Sequence, residues 1–203
     1  MARIYHLFSA LVLCLLYGSF CPALAVEGHA VANRYPVFIV TDRDVQHTDH
    51  GLVFGNGRST SLAYGTAPVQ AAEKRTPSEE VTLLDDQKQF FDKLKETGAT
   101  HCAVFVHGYR KSFDGSLELA REMASQLDEP VILFAWPSKN KYSAYMIDEC
   151  TAEWSSYHLA DVLRDLGNSI GNQNVRVISH SLAARMVCWS YGILAQTNEL
   201  RKP

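Results

Sequence analysis

Ser181 stands in Val175-Arg176-Val177-Ile178-Ser179-His180-Ser181-Leu182-Ala183, an apolar, β-branched run that passes into a small-x-Ser-x-small turn. The residues after it, Ala184-Arg185-Met186-Val187-Cys188-Trp189, carry a helical pattern. A serine on a strained strand-to-helix turn has its oxygen lifted clear of the backbone, and small neighbours let the chain fold that sharply. Such a hydroxyl becomes a nucleophile when a histidine takes its proton and a carboxylate orients that histidine. From Leu182 to Pro203 there is no His and no Asp. The nucleophile is written here; the acid–base pair it needs does not follow it.

Val106-His107-Gly108-Tyr109-Arg110 offers the complementary chemistry. Acyl transfer needs two backbone N–H groups aimed at the oxygen that becomes negative, one of them on the residue after the nucleophile. Leu182 fills that position, and Gly108 permits a turn tight enough to aim the amide of Tyr109 or Arg110 at the same spot. His180 is a poor base for Ser181, because adjacent residues on a sharp turn point in different directions. His47-Thr48-Asp49-His50 has metal-ligand residue types but lies in a polar stretch with no helix to align them, and reads as a solvated loop. Arg110-Lys111-Ser112 lacks the glycine framework of a phosphate cradle. Neither a metal nor a cofactor site is expected.

The elements that must position these residues follow from periodicity. Tyr35 to Val40 reads as a first strand, Asp44 to Tyr64 as a long surface excursion, and Leu62 to Val69 as a short strand kept near an edge by Pro68. Ala71 to Glu80 reads as a loop. Asp85 to Glu96 has apolar residues at helical spacing and stops at Gly98. Then the pattern becomes regular: a buried strand His101–Val106, a helix Ser116–Leu127, a strand Val131–Trp136, a helix Thr151–Ile170, a strand Val175–Ile178 and a helix Leu182–Gln196. Alternation of this kind predicts a parallel sheet covered on both faces.

His107-Gly108-Tyr109, Ser112-Phe113, Phe134-Ala135-Trp136-Pro137-Ser138, Tyr145, Asp148 and His180-Ser181-Leu182 are similar, in order and spacing, to the lipase/esterase-like α/β-hydrolases of unknown function. Val40-Thr41-Asp42-Arg43 and Leu62-Ala63-Tyr64-Gly65 resemble that family's N-terminal region. The resemblance covers about residues 35–195. It implies an α/β fold, α/β-hydrolase-like, with a mostly parallel sheet and helices on both faces; the family's C-terminal strands are expected to be lacking here. It implies Ser181 as catalytic nucleophile, Leu182 and Tyr109 as oxyanion-hole donors, and a small ester or other acyl substrate. In that family the base lies after the last strand, so His107 is expected to shape its loop, with Asp148 bracing the loop beside Tyr145 and Trp136 at least as fit for packing as for binding. Ser179 and Ala183 depart from the usual glycines of the elbow. Lacking the later strands, the chain is expected to be weakly active or inactive as a serine esterase; the alternative is a non-catalytic remnant or binding module. The strand Val175–Ile178 is expected to have an uncovered edge that favours self-association.

The chain has 203 residues, 47% hydrophobic and 20% charged, with a formal net charge of −3. That suits one globular domain and argues against nucleic acid or an anionic membrane surface as a partner of the chain as a whole. Arg3, the apolar stretch Ile4–Phe20 and Ala23-Leu24-Ala25 have the layout of a signal peptide cleaved after Ala25. The expected organisation is therefore a signal peptide 1–25, a short segment 26–34 and a partial hydrolase domain 35–203. The protein is expected to be secreted or periplasmic, with no stable membrane span after cleavage; the alternative is an anchor formed by residues 4–20, and a lipoprotein at Cys21 is disfavoured by Phe20. Cys102, Cys150 and Cys188 would remain, read as small buried hydrophobes rather than a disulfide framework.

Overall fold

The chain was analysed as a computed structural model that describes residues 35–49, 51–73 and 75–197. The expected signal peptide, the segment 26–34 and His50 lie outside the described residues. In chain order the elements are β1 (Val37–Thr48), β2 (Gly51–Ala67), β3 (Thr82–Leu84), α1 (Gln87–Glu96), β4 (Cys102–Val106), α2 (Phe113–Gln126), β5 (Val131–Ala135), α3 (Tyr145–Ile170), β6 (Val175–Ser179) and α4 (Leu182–Gln196).

The strands form one sheet in the order β3-β2-β1-β5-β4-β6. β1, β5, β4 and β6 run parallel, and β2 and β3 are antiparallel additions beside β1. In β4 every residue is buried, and side chains alternate between the two faces as the period of two requires. Cys102, Val104 and Val106 join Ile132, Phe134, Leu159, Leu163 and Met186 in a core under α1, α3 and α4. Ala103 and Phe105 join Val131, Leu133, Leu117 and Ala120 in a second core under α2. Helices therefore cover both faces, as the alternation predicts. Asp86 caps α1 by accepting from the Gln89 N–H, Ser112 caps α2 by accepting from the Gly115 N–H, and Gly98 at φ 67° turns the chain out of α1.

Four expectations need correction. Asp44 to Tyr64 is not a surface excursion: β1 extends to Thr48 and pairs with β2 in a long hairpin. Register shifts around Arg43 break the alternation that would have marked a strand, and the arm is held instead by polar bonds such as Gly57 N–H to Asp44 Oδ1 at 2.7 Å. The short strand Leu62–Val69 is the end of β2; it stops before Pro68, and β3 rather than β2 forms that sheet edge. The helix expected from Thr151 begins at Tyr145. Cys102 is buried, its thiol pushed up to about 12 by desolvation, but Cys150 and Cys188 are free and exposed.

β6 ends the sheet on its other side, and all of its residues are at least partly exposed. Val175 and Val177 lean on the core under α3 and α4, and Ile178 on the core under α2. Among the described residues no helix is long and apolar enough to cross a membrane.

Candidate functional site

β6 turns into α4 through a single unusual residue. Ser181 has φ 58° and ψ −134°, a conformation that residues with a Cβ rarely adopt. It occupies the N-cap of α4, where serine normally turns its hydroxyl onto the helix N–H groups; here the side chain makes no capping bond. Ser181 is exposed, whereas Leu182 and Ala183 behind it are buried at 2% and 0% exposure and fix α4 to the core. Ala183 N–H bonds to the His180 carbonyl at 3.2 Å and Ala184 N–H to that of Ser181 at 3.0 Å. The N–H of Leu182, at the first turn of the helix, finds no protein acceptor among the described residues.

The loop after β4 faces this turn because β4 and β6 are neighbours, with Val106 in register with Ser179. Gly108 lies against the His180 ring, and a Cβ on it would collide with Cε1 of that imidazole. A side chain at this position would push the exposed His180 ring aside. The Tyr109 N–H also has no protein acceptor among the described residues. The Arg110 N–H is already taken, donating to Ser138 Oγ at 2.9 Å, and Arg110 itself is at φ 58°. Of the two amides the sequence leaves open, that of Arg110 is engaged by Ser138.

Much of the surrounding polar structure holds this loop still. The buried Asp148 carboxylate accepts from Ser138 Oγ at 2.5 Å and from the Lys139 N–H at 2.8 Å, so it braces the loop that receives Arg110. Arg43, 1% exposed, donates to the carbonyls of Gly55 and Lys111 and to Asn56 Oδ1, clasping the hairpin to the loop after β4. Burial pulls its guanidinium down to about 10, against the pull of Asp42 and Asp148. His107 Nε2 lies 3.0 Å from the Trp136 carbonyl while Trp136 Nε1 donates back to the His107 carbonyl at 2.6 Å. The rings stack with centroids 5.2 Å apart, both fully buried. Desolvation, then the charge of Arg43, holds His107 down to about 3, so it is neutral and shapes its loop.

The loop carrying Tyr109 thus meets the turn carrying Ser181 and Leu182 through the Gly108–His180 contact, while His47, His101 and His158 lie elsewhere. His101 is at the opposite end of β4, and His47 is out on the hairpin. His158 Nδ1 lies 3.1 Å from the buried Asp42 carboxylate, a pairing that sequence reasoning missed. α3 and α4 run side by side, Glu149 meeting Arg185 and the Ser156 carbonyl meeting Ser190. His158 is therefore level with a part of α4 about ten residues past Ser181, roughly 15 Å along the helix. Among the described residues His180 alone stands at the turn, with its ring against Gly108.

Comparison with known proteins adds the lineage. The model of a family described as alpha/beta hydrolase of unknown function (DUF900) matches residues 84–200, which takes in β4 to α4 and the whole turn around Ser181. No curated protein and no solved structure matches the chain. With more than half of its length under that match and the sheet, helices and serine turn in the corresponding order, the chain belongs to the alpha/beta hydrolases of unknown function.

Proposed function

We propose that this chain carries the nucleophile and oxyanion half of a serine hydrolase that cleaves small esters or related acyl bonds. The observation that carries the reading is the backbone of Ser181 at φ 58°, ψ −134°, which turns an exposed hydroxyl away from the helix it begins. In the reaction Ser181 Oγ bonds to the acyl carbon while the Leu182 and Tyr109 amides hold the oxyanion. The acyl–oxygen bond then breaks, and the leaving alcohol takes the serine's proton by way of a base. Water attacks the acyl-serine, releases the acid and restores the hydroxyl.

No histidine among the described residues is placed to be that base. In this reading the base lies outside the described residues and reaches Ser181 on a segment that pairs with the edge strand β6. The same edge is a route to self-association. We assign export by cleavage after Ala25, which N-terminal sequencing checks: the mature chain starts at Val26, and Met1 retained on membrane-bound protein would refute it.

The catalytic test is labelling by a fluorophosphonate with and without added imidazole. Slow labelling that imidazole accelerates and Ser181→Ala abolishes is the expected result. Rapid labelling without imidazole would show that a base is already present. No Ser181-dependent labelling under either condition would leave the rival reading, a binding module that keeps the front of the fold.

A further inference from the structure

Four of the large apolar side chains exposed among the described residues crowd into one short segment. Tyr142, Tyr145, Met146 and Ile147 are 79%, 43%, 69% and 53% exposed. Ala144 and Asp148, four residues apart, face inward and anchor the turn. These apolar groups are held out rather than left loose. The Tyr109 hydroxyl bonds to the carbonyls of Lys141 and Tyr142, its ring meets that of Tyr145 edge-on at 5.2 Å, and Asp148 fixes the preceding loop.

Cations outnumber free acids around the segment, since Glu149 just after it is paired with Arg185. Lys139 and Lys141 precede the apolar residues, and the Arg110 guanidinium lies 3.5 Å over the Tyr142 ring. From Ser138 to Ile147 there is no acid, and the next one, Asp148, is buried. Aromatic and aliphatic side chains projecting beside lysine and arginine are the composition of a surface that lies in the headgroup layer of a membrane.

We propose that the turn 139–147 docks the protein onto an anionic lipid surface. The tyrosines, Met146 and Ile147 enter the boundary between headgroups and acyl chains, and Lys141 and Arg110 meet the lipid phosphates and carboxylates, while Lys139 is held on the Asn56 carbonyl. The net charge of the whole chain argues against such a partner, but the segregation of cations here supplies locally what the average lacks. The turn follows the C-terminal end of β5, the same sheet end at which Ser181 leaves β6, so docking brings the serine turn to the lipid.

Hydrogen exchange of the full chain tests this, because it reads the turn separately from any effect of residues 4–20. The first amides of α3 lack intrahelical acceptors and exchange fast in free protein. On vesicles of phosphatidylcholine mixed with phosphatidylserine, amides 142–147 should slow by about tenfold or more, and the combined change Tyr142→Ser, Met146→Ser, Ile147→Ser should abolish the slowing. Lys141→Gln should weaken partition onto the same vesicles about fivefold. Exchange elsewhere in the variants should match the parent, since the altered side chains are exposed. The proposal is overturned if the chain floats with vesicles while 142–147 exchange as before, or if slowing is equal on phosphatidylcholine alone. Slowing without lipid that grows with protein concentration, or that is produced by an acidic peptide, also overturns it.

Discussion

Replacing Ser181 by glycine removes the Cβ that crowds the backbone at φ 58°, ψ −134°. A residue with a Cβ in such a region stores about 1–3 kcal/mol. Glycine gives back about 0.5–1 kcal/mol through the extra freedom of the unfolded chain. The hydroxyl makes no capping bond, so nothing else is lost with it. The difference is a net stabilisation of up to about 2.5 kcal/mol, which for a domain of this size raises Tm by up to about 10 °C. Ser181→Ala keeps the Cβ and should melt within about 0.5 kcal/mol of the parent. Ser179→Gly, inside β6, should lose about 0.5–1 kcal/mol and serves as the control for glycine in general. Urea and thermal unfolding followed by circular dichroism give all three values. If Ser181→Gly melts with or below Ser181→Ala, no strain resides at this turn and the stereochemical case for the nucleophile fails. If it melts above, the chain keeps a destabilising residue where glycine would sit more easily, and the side chain is the reason.

Asp148→Ala should cost about 3 kcal/mol, because Ser138 and Lys139 lose a buried carboxylate partner; Asp148→Asn, which can still accept from the Lys139 N–H, should cost about 1 kcal/mol, and equal losses by urea unfolding would refute the bracing role. His107, held down to about 3 when folded, takes up its proton only on unfolding, so its contribution is intact above about pH 6.5 and is lost progressively as pH falls toward 3. His107→Gln should flatten the pH dependence of stability in that window by about one proton; an unchanged slope would place the acid sensitivity elsewhere. Val177→Lys on β6 should reduce self-association seen by light scattering, at some cost to stability from its contact with the core. A parent chain that is monomeric at every concentration would show that the β6 edge is not sticky.

Legibility in the sequence followed burial. β4 and β5 are continuous apolar runs, β6 was readable from its β-branched residues despite Arg176 and its partial exposure, and α4 begins at Leu182 where the small-x-Ser-x-small turn says it should. The hairpin arm was illegible because its residues are largely exposed and polar, and the bulges at Arg43 shift the phase of what alternation there is. The first turn of α3 was illegible for the opposite reason: Tyr145, Met146 and Ile147 are apolar but face outward, so they break the helical period. Ser181, Leu182 and Tyr109 were readable since each follows a strand whose end the sequence marks. Arg43 and the Asp42–His158 pair were not, because their partners lie 68 and 116 residues away and no local pattern announces them.

The strand order also sets a timetable. β1 finds its parallel neighbour only in β5, and the bond from Thr41 to the Ala135 carbonyl closes a separation of 94 residues. Until β5 has been synthesised, the chain can make the β1–β2 hairpin and isolated helices, none of which buries the central core on its own. Closing so long a loop before any reward arrives slows folding, as non-local topologies do. Export as proposed above would gain from that delay, because a polypeptide threaded through a pore must not lock its core beforehand.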